Sequence, residues 1–205
     1  MLRNQGNSRQ RCDQQHVGLN LQNDLLIAVE RKGFFVVHQP VVEPTSRDVV
    51  SHEALIRWQQ PIKGVVMPGS FIEAAEHTHV SVEMTCTVLE QVLRSSEEAS
   101  GSGLQVPVSV NLSAICLRAG NVSDLIERFL EESAIAPGNL ILEITETAML
   151  KQSERVKMPL EALRSLGVKL AMADSGTGYS TLTNLWRYRF QRIEGRSDTF
   201  GMYSA

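Results

Sequence analysis

The sequence predicts an α/β fold built on a largely parallel sheet, and two observations lead to that prediction. Short apolar runs typical of strands alternate along the chain with longer segments whose apolar residues recur at helical spacing. The alternation extends from Leu19 to Ile193 and contains no internal repeat of fixed period. Strand–helix–strand units of this kind favour parallel strands, because each helix returns the chain to the starting edge of the sheet.

Composition agrees with a single globular domain. The chain has 205 residues, of which 42% are hydrophobic and 21% charged, and its net charge is −3. The near-neutral charge argues against a binder of nucleic-acid polymers, which carries a strong basic bias. We expect a flexible polar leader at residues 1–17, the domain at 18–196 and a short tail at 197–205.

The amino end has no apolar h-region, and no apolar run approaches the roughly 18 residues of a membrane span. Three widely spaced cysteines fit reduced thiols better than a disulfide framework. Both observations predict a cytoplasmic protein without a membrane segment.

The predicted elements follow in order along the chain. Apolar residues at helical spacing, closed by a glycine or opened by a serine cap, predict helices at 21–29, 71–77, 81–93, 125–130, 153–166 and 185–188. In this scheme Gly33 ends the first helix, Ser81 caps the third and Ser123 caps the fourth. Short apolar runs predict strands at 34–42, 49–58, 106–112, 140–144, 168–172 and 190–193.

Polar residues follow or end these strands, where ligands of parallel α/β folds bind. They are Gln39, Glu53, Arg57, Asn111, Ser113, Glu143, Glu146 and Asp174. Carboxylate and amide oxygens suit Mg²⁺ or Mn²⁺, and a metal beside an arginine suits phosphodiester cleavage. A purely structural interpretation stays open, in which the segment Asn111–Ser113 caps a helix and Glu143 pairs with a neighbouring cation.

Five motifs in order narrow the choice: His38-Gln39-Pro40-Val41-Val42, Glu53-Ala54-Leu55-Ile56-Arg57-Trp58, Val110-Asn111-Leu112-Ser113, Leu142-Glu143-Ile144-Thr145-Glu146-Thr147 and Asp174-Ser175-Gly176-Thr177-Gly178-Tyr179-Ser180. Together they resemble the EAL domain, a modified TIM barrel that hydrolyses cyclic di-GMP to linear pGpG. The resemblance covers about Leu19 to Arg196.

The resemblance implies roles for individual residues. Glu53, Asn111, Glu143 and Asp174 match metal ligands for Mg²⁺ or Mn²⁺, with Glu53 and Asp174 in the catalytic group, and Gln39, Leu55 and Arg57 match contacts to the dinucleotide. Glu146 matches the anchor of a loop that couples a dimer interface to the site, and the loop here comprises Gly176, Thr177, Gly178, Tyr179 and Ser180.

Three departures from the family pattern predict impaired catalysis. Ala173 stands where the family has the first of two adjacent aspartates, which bridges two metal ions. Arg192 is the best match to a lysine, and a guanidinium cannot replace a tunable ammonium group. The chain also ends soon after Arg196, where the family continues with further strands, so we expect an incomplete barrel.

Three hypotheses follow from this pattern. The first is a cyclic di-GMP phosphodiesterase whose catalysis is weak or lost. The second is a non-catalytic module that binds the dinucleotide or a protein partner, with a homodimer left open. The third is an inactive truncated remnant.

Overall fold

The computed structural model describes residues 21–76, 78–100, 106–145, 153–173 and 192–193. Residues 21–30 form helix α1, and the strands follow as β1 (Phe34–Val42), β2 (Val49–Gln60), β3 (Gly64–Val66), β4 (Val108–Asn111), β5 (Leu140–Thr145), β6 (Lys169–Ala173) and β7 (Arg192–Ile193). The remaining α-helices are α2 (Ile72–Ala75), α3 (Val80–Ser100), α4 (Ala114–Arg118), α5 (Val122–Glu132) and α6 (Ser153–Ser165). Short 3₁₀ turns at Pro68–Ser70 and Pro137–Asn139 precede α2 and β5.

The seven strands form one sheet in the order β1-β2-β4-β5-β6-β7, with β3 paired to β2. Strands β2, β4, β5, β6 and β7 pair in parallel, whereas the β1–β2 and β2–β3 pairs are antiparallel. The carboxyl ends of the parallel strands therefore lie at one edge of the sheet, as the sequence predicts.

The two faces of the sheet carry different chemistry. Even-numbered residues such as Ala54, Val110 and Leu142 belong to the hydrophobic core shared with α3, α5 and α6. Odd-numbered residues lie on the opposite face, because side chains alternate along a strand, and Glu53, Asn111 and Glu143 are among them. The even-numbered face thus packs in the core with the helices, and the odd-numbered face carries the polar group together with buried apolar residues such as Ile141 and Ala171.

Three aromatic rings from the first part of the chain pack against one another in the core. Phe34, Trp58 and Phe71 have ring centroids 5.8–6.3 Å apart in tilted or edge-on arrangements, and all three side chains are buried. Such pairs add about 0.5–1.5 kcal/mol each beyond their buried area. They fix the first hairpin and the turn before α2 to each other.

A side chain from α3 covers part of the outer edge of β1. The Val36 amide donates to Gln91 Oε1 at 2.9 Å, and Gln91 Nε2 donates to the Phe34 carbonyl at 3.0 Å. The amide group of Gln91 thus substitutes for one peptide of a neighbouring strand. Pro40 removes another backbone donor farther along the same strand.

Two of the predicted helix caps are wrong. Helix α3 begins at Val80, and Ser81 lies inside its first turn, where its hydroxyl donates to the Thr78 carbonyl. Helix α5 begins at Val122 after Asn121, so Ser123 is already helical and donates to Asp124. In both cases the helix begins before its predicted first residue, by one turn or less.

The end of α1 also differs in detail from the prediction. Lys32, rather than Gly33, takes the left-handed conformation with φ 53°. The Gly33 amide donates to the Ala28 carbonyl at 2.7 Å, which is the bond that ends the helix. Gly167, by contrast, closes α6 with φ 85° as predicted.

The remaining boundaries agree with the prediction to within a few residues, except that α2 covers only four residues of the predicted 71–77 and α3 extends to Ser100, seven residues beyond the predicted end. The predicted helix at 185–188 lies outside the described residues, and so do the leader at 1–17 and the tail at 197–205. Within the described residues, no helix is both long enough and apolar enough to cross a membrane.

Candidate functional site

Three polar residues from adjacent strands meet on the odd-numbered face of the sheet. Glu53 of β2 is paired with Ser109 of β4, two residues before Asn111, and Asn111 is paired directly with Glu143 of β5. The Asn111 amide nitrogen donates to Glu53 Oε1 at 2.9 Å. The strand register therefore brings together three of the residues that the sequence predicts as metal ligands.

Burial differs across this group. The Glu143 side chain is 1% exposed, Glu53 is half-buried and Asn111 is exposed. Glu143 is therefore the member of this group most shielded from solvent, and burial of a carboxyl group is costly unless other groups stabilise it. Its backbone carbonyl also accepts from the Leu112 amide at 2.8 Å, which joins the ends of β4 and β5.

The end of β4 serves three purposes in three consecutive residues. Asn111 bonds to Glu53, Leu112 is buried in the core, and the Ser113 hydroxyl accepts from the Cys116 amide at 3.2 Å as the amino-terminal cap of α4. The structural interpretation of Ser113 is thus confirmed. It is compatible with the ligand role predicted for Asn111, because the two side chains act on different partners.

The predicted dinucleotide contacts lie on the first hairpin. Gln39 is exposed on β1 and paired with Glu53, while Leu55 and Arg57 follow Glu53 at alternate positions of β2. Arg57 is half-buried, and its Nη1 donates to the Ile56 carbonyl at 2.9 Å. These residues share the odd-numbered face with Glu53, as their spacing predicts.

The other predicted site residues lie outside the described residues. They are Asp174, Glu146, Gly176, Thr177, Gly178, Tyr179 and Ser180. Strand β6, which precedes Asp174, is described, and its last residue, Ala173, is paired with Thr145, two residues beyond the pair of Glu143 and Ala171. Arg192 lies in β7 and is paired with Ala171.

The donor set fits a hard cation in part. Glu53, Asn111 and Glu143 offer carboxylate and amide oxygens on neighbouring strands, the ligand type that Mg²⁺ and Mn²⁺ prefer. Among the described residues, however, no group of three or more His, Cys, Asp or Glu side chains could hold a metal ion. The described part of the site therefore supplies two carboxylates and one amide.

A pocket beside this group was not anticipated from the sequence. It has a volume of about 250 Å³ and lies where the ends of β2 and β4 meet α2 and α3. Most of its lining is apolar and belongs to the core side of the sheet and to α3, with Ala54, Ile56 and Met84 among its walls. Leu55 and Asn111 also line it, and Glu76 is the one ionisable side chain among its described lining residues. Its residues come from four separate segments, so no local pattern could have predicted it.

Comparison with known proteins identifies the family. The family model described as "EAL domain" matches residues 22–196. The chain belongs to the EAL domain family. The resemblance inferred from five motifs is thereby confirmed, and so is the class of fold, because the structural neighbours are EAL domains with a modified TIM barrel.

Curated relatives of this EAL domain occur in longer proteins. A protein of Mycobacterium tuberculosis is 35% identical over 177 residues, which cover 85% of this chain and 58% of the relative. The bifunctional diguanylate cyclase/cyclic di-GMP phosphodiesterase MucR of Pseudomonas aeruginosa is 33% identical over 170 residues, 82% of this chain and 25% of MucR. The chain thus spans little more than half of one relative and a quarter of the other.

Solved structures agree with these relatives. The phosphodiesterase domain described as "PaMucR Phosphodiesterase, c-di-GMP complex" superposes with a TM-score of 0.77 and 31% identity, covering 85% of this chain and 71% of that one. The EAL enzyme Bd1971 superposes with a TM-score of 0.79 at 24% identity, over 88% of this chain and 50% of that one, and supports the fold alone.

Proposed function

We propose that this EAL domain binds cyclic di-GMP at the carboxyl ends of its parallel strands and that its hydrolysis of the dinucleotide is weak or lost. The observation that supports binding is the group of Glu53, Asn111 and Glu143, held in register on one face of three adjacent strands. The similar MucR phosphodiesterase domain is described in complex with c-di-GMP, which favours the same ligand here.

The residues of the first hairpin complete the proposed binding site. Arg57 supplies a fixed positive charge for a phosphate, and its half-buried position strengthens that attraction relative to open solvent. Leu55 offers an apolar wall at the mouth of the pocket, and exposed Gln39 offers amide donors and acceptors beside Glu53.

Glu53, Asn111 and Glu143 would hold a divalent cation, Mg²⁺ or Mn²⁺, together with Asp174. When bound, such an ion polarises a phosphate oxygen and lowers the pKa of a coordinated water. The protein's own part is to fix the donor oxygens: the Asn111–Glu53 hydrogen bond orients both side chains before any ligand arrives.

The alanine at position 173 is the main reason to expect weak hydrolysis. Ala173 ends β6, and the strand β5 beside it carries Glu143. A methyl group offers no oxygen to a second cation, so a two-metal clamp on the attacking and leaving oxygens loses a shared ligand. Arg192 stands beside β6 in place of a lysine, and its guanidinium stays protonated throughout the physiological pH range.

A paired assay tests binding and turnover separately. Titration calorimetry with cyclic di-GMP and Mg²⁺ should detect binding that Arg57→Ala weakens at least about tenfold, since a charged hydrogen-bonding group is removed. Arg94→Ala, an exposed arginine of α3 away from the site, is the control and should bind as the wild type does. Absence of binding by the folded wild-type chain would disprove the proposal.

The rate of pGpG formation in the presence of Mn²⁺ tests the second part of the proposal, that hydrolysis is weak or lost. We expect a rate about 10²–10³ below that of the MucR phosphodiesterase domain assayed in parallel, the effect of losing one stabilising group in a transition state. A rate within tenfold of MucR that Glu53→Gln abolishes would show a competent enzyme and contradict the proposed loss.

A cytoplasmic location and a homodimer belong to the same proposal. The location is proposed from the three widely spaced cysteines, which fit reduced thiols, and the homodimer from the family resemblance, through the loop from Gly176 to Ser180. Light scattering after size-exclusion chromatography tests the dimer, and Tyr179→Ala should reduce its mass toward one chain if that loop forms the interface.

A further inference from the structure

A pair of histidines lies on the side of the first hairpin that faces α3. His38 of β1 is paired with Ala54, and His52 of β2 is paired with Pro40, so the two histidines are diagonal neighbours across the two strands. Both share a face of the hairpin with Ala54, which belongs to the core. Diagonal neighbours of an antiparallel pair are within reach of aromatic side chains. The strand register therefore brings two imidazole rings together outside the candidate site described above.

The separation of the two rings is one that a shared metal ion permits. The ring centroids of His38 and His52 lie 6.4 Å apart, and the ring planes meet at 88°. A zinc–nitrogen bond of about 2.0–2.1 Å places the centroids of two imidazoles on one ion roughly 5–6.5 Å apart. The observed separation lies at the upper end of that range. His38 is exposed and His52 is half-buried, so both rings are accessible to an ion from solvent.

A hydrogen bond to α3 sets the tautomer of His38. Its Nε2 lies 3.1 Å from Ser95 Oγ, and Ser95 Oγ donates to the Gln91 carbonyl at 2.8 Å. Because the hydroxyl proton is used in that bond, Nε2 of His38 carries the hydrogen and donates it to Ser95. Nδ1 of the neutral ring then keeps its lone pair. Histidines that bind metals almost always donate their other ring N–H in this way, which fixes the ring and raises its basicity as a ligand.

The type of ligand distinguishes this pair from the proposed Mg²⁺ or Mn²⁺ site. Imidazole nitrogens suit Zn²⁺, whereas carboxylate and amide oxygens suit Mg²⁺ and Mn²⁺. The described residues form no group of three or more His, Cys, Asp or Glu side chains that could hold a metal, so water would complete the coordination of an ion on this pair. Structural zinc sites have four protein ligands, and a site with two is expected to bind zinc reversibly.

We propose that His38 and His52 form a binding site for Zn²⁺ that links β1 to β2. Gln39 and Glu53 directly follow the two histidines, are paired with each other, and face the opposite side of the hairpin. A bound zinc ion therefore ties together the two strands that carry Gln39 and Glu53. It also stabilises the folded chain, because the paired geometry exists only in the folded state. The zinc site is independent of the proposed binding of cyclic di-GMP.

A zinc titration of the full chain in excess Mg²⁺ tests the site, with the protein competing against a chromophoric zinc chelator. His38→Ala and His52→Ala should each weaken one bound zinc ion per chain at least about tenfold, since loss of even a residue that only supports a ligand costs about 10- to 100-fold. His79→Ala is the matched control, because His79 is an exposed histidine just before α3, and it should bind zinc as the wild type does. Equal zinc binding by the wild type and by both strand variants overturns the site.

Long-range proton–nitrogen NMR spectra of the imidazole rings give a second test that needs no substitution. In the zinc-free chain His38 should show the Nε2–H tautomer, and Zn²⁺, but not Mg²⁺, should shift the nitrogen resonances of His38 and His52. Zinc-induced shifts confined to other histidines overturn the site even if an alanine variant fails to fold.

Ser95 acts in this site as a positioning residue. Ser95→Ala should weaken zinc binding about tenfold and reduce the preference of His38 for the Nε2–H tautomer. Unchanged affinity together with an unchanged tautomer would overturn the role of Ser95.

Discussion

Removal of the Gln91 side chain should destabilise the protein through the edge of its sheet. In Gln91→Ala the Val36 amide and the Phe34 carbonyl lose their partners at 2.9 and 3.0 Å. Each hydrogen bond contributes about 0.5–1.5 kcal/mol net, so we expect a loss of about 1–3 kcal/mol in the free energy of unfolding. With a urea dependence near 2 kcal/mol per M, the unfolding midpoint should fall by about 1 M.

Gln91→Glu sharpens this prediction, because the carboxylate still accepts from the Val36 amide but places an oxygen against the Phe34 carbonyl. It should be at least as destabilising as alanine at neutral pH. Glu90→Ala, an exposed position one residue away on α3, is the control. Urea unfolding followed by far-UV circular dichroism gives the midpoints, and a Gln91→Ala midpoint equal to that of Glu90→Ala would refute the reasoning.

Three further outcomes follow from the structure. Arg47→Gly should raise the free energy of unfolding by about 0.5–1 kcal/mol, since Arg47 holds φ 63° in the turn before β2; an unchanged or lower melting temperature would contradict this. Leu142→Ala should lower the free energy of unfolding by about 2–5 kcal/mol, because the side chain is fully buried in β5. A loss of less than about 1 kcal/mol in chemical denaturation would contradict that estimate. Partial burial, reinforced by the nearby charge of His52, lowers the pKa of His38 below its usual 6.5. The unfolded chain therefore takes up a proton first as the pH falls below about 6.5, and stability decreases there; His38→Gln should reduce the drop in melting temperature between pH 7.5 and 5.5, and an identical drop would exclude this histidine as its source.

The strands were predictable because each depends on a local property of the sequence. Runs such as Leu140–Ile144 are apolar, β-rich and bounded by turn residues, and the structure extends this one by a single residue. The alternation of faces along β2 then places Glu53, Leu55 and Arg57 together without further information. That part of the candidate site follows from sequence periodicity and from the parallel order of the strands.

Helix starts were less predictable. Ser81 and Ser123 both have the chemistry of a cap, yet the helices begin one residue earlier at Val80 and Val122, which are both buried. Burial of an apolar side chain outweighs the roughly 1 kcal/mol that a serine cap contributes. The core, and not the cap preference, sets those two boundaries.

The pocket and the cover on β1 could not be predicted at all. Both depend on contacts between residues far apart in the chain, such as Phe34 with Gln91 and Ser113 with Ser81. A single sequence without related sequences holds no signal for such pairs. The positions of Glu76 at the pocket and of Gln91 at the edge of β1 are visible only in the structure. Glu53, Asn111 and Glu143, by contrast, were identified from the sequence motifs.

The alternation of side chains between the two faces of the sheet has an evolutionary consequence. Since neighbouring residues of one strand face opposite layers, selection on stability and selection on ligand chemistry act on alternate codons of the same segment. A substitution at an odd-numbered position can change the ligand chemistry of a strand while an even-numbered neighbour such as Met172 stays fully buried. Such a domain can change its chemistry within a conserved architecture, and receptor and enzyme are then separated by a few substitutions on one face.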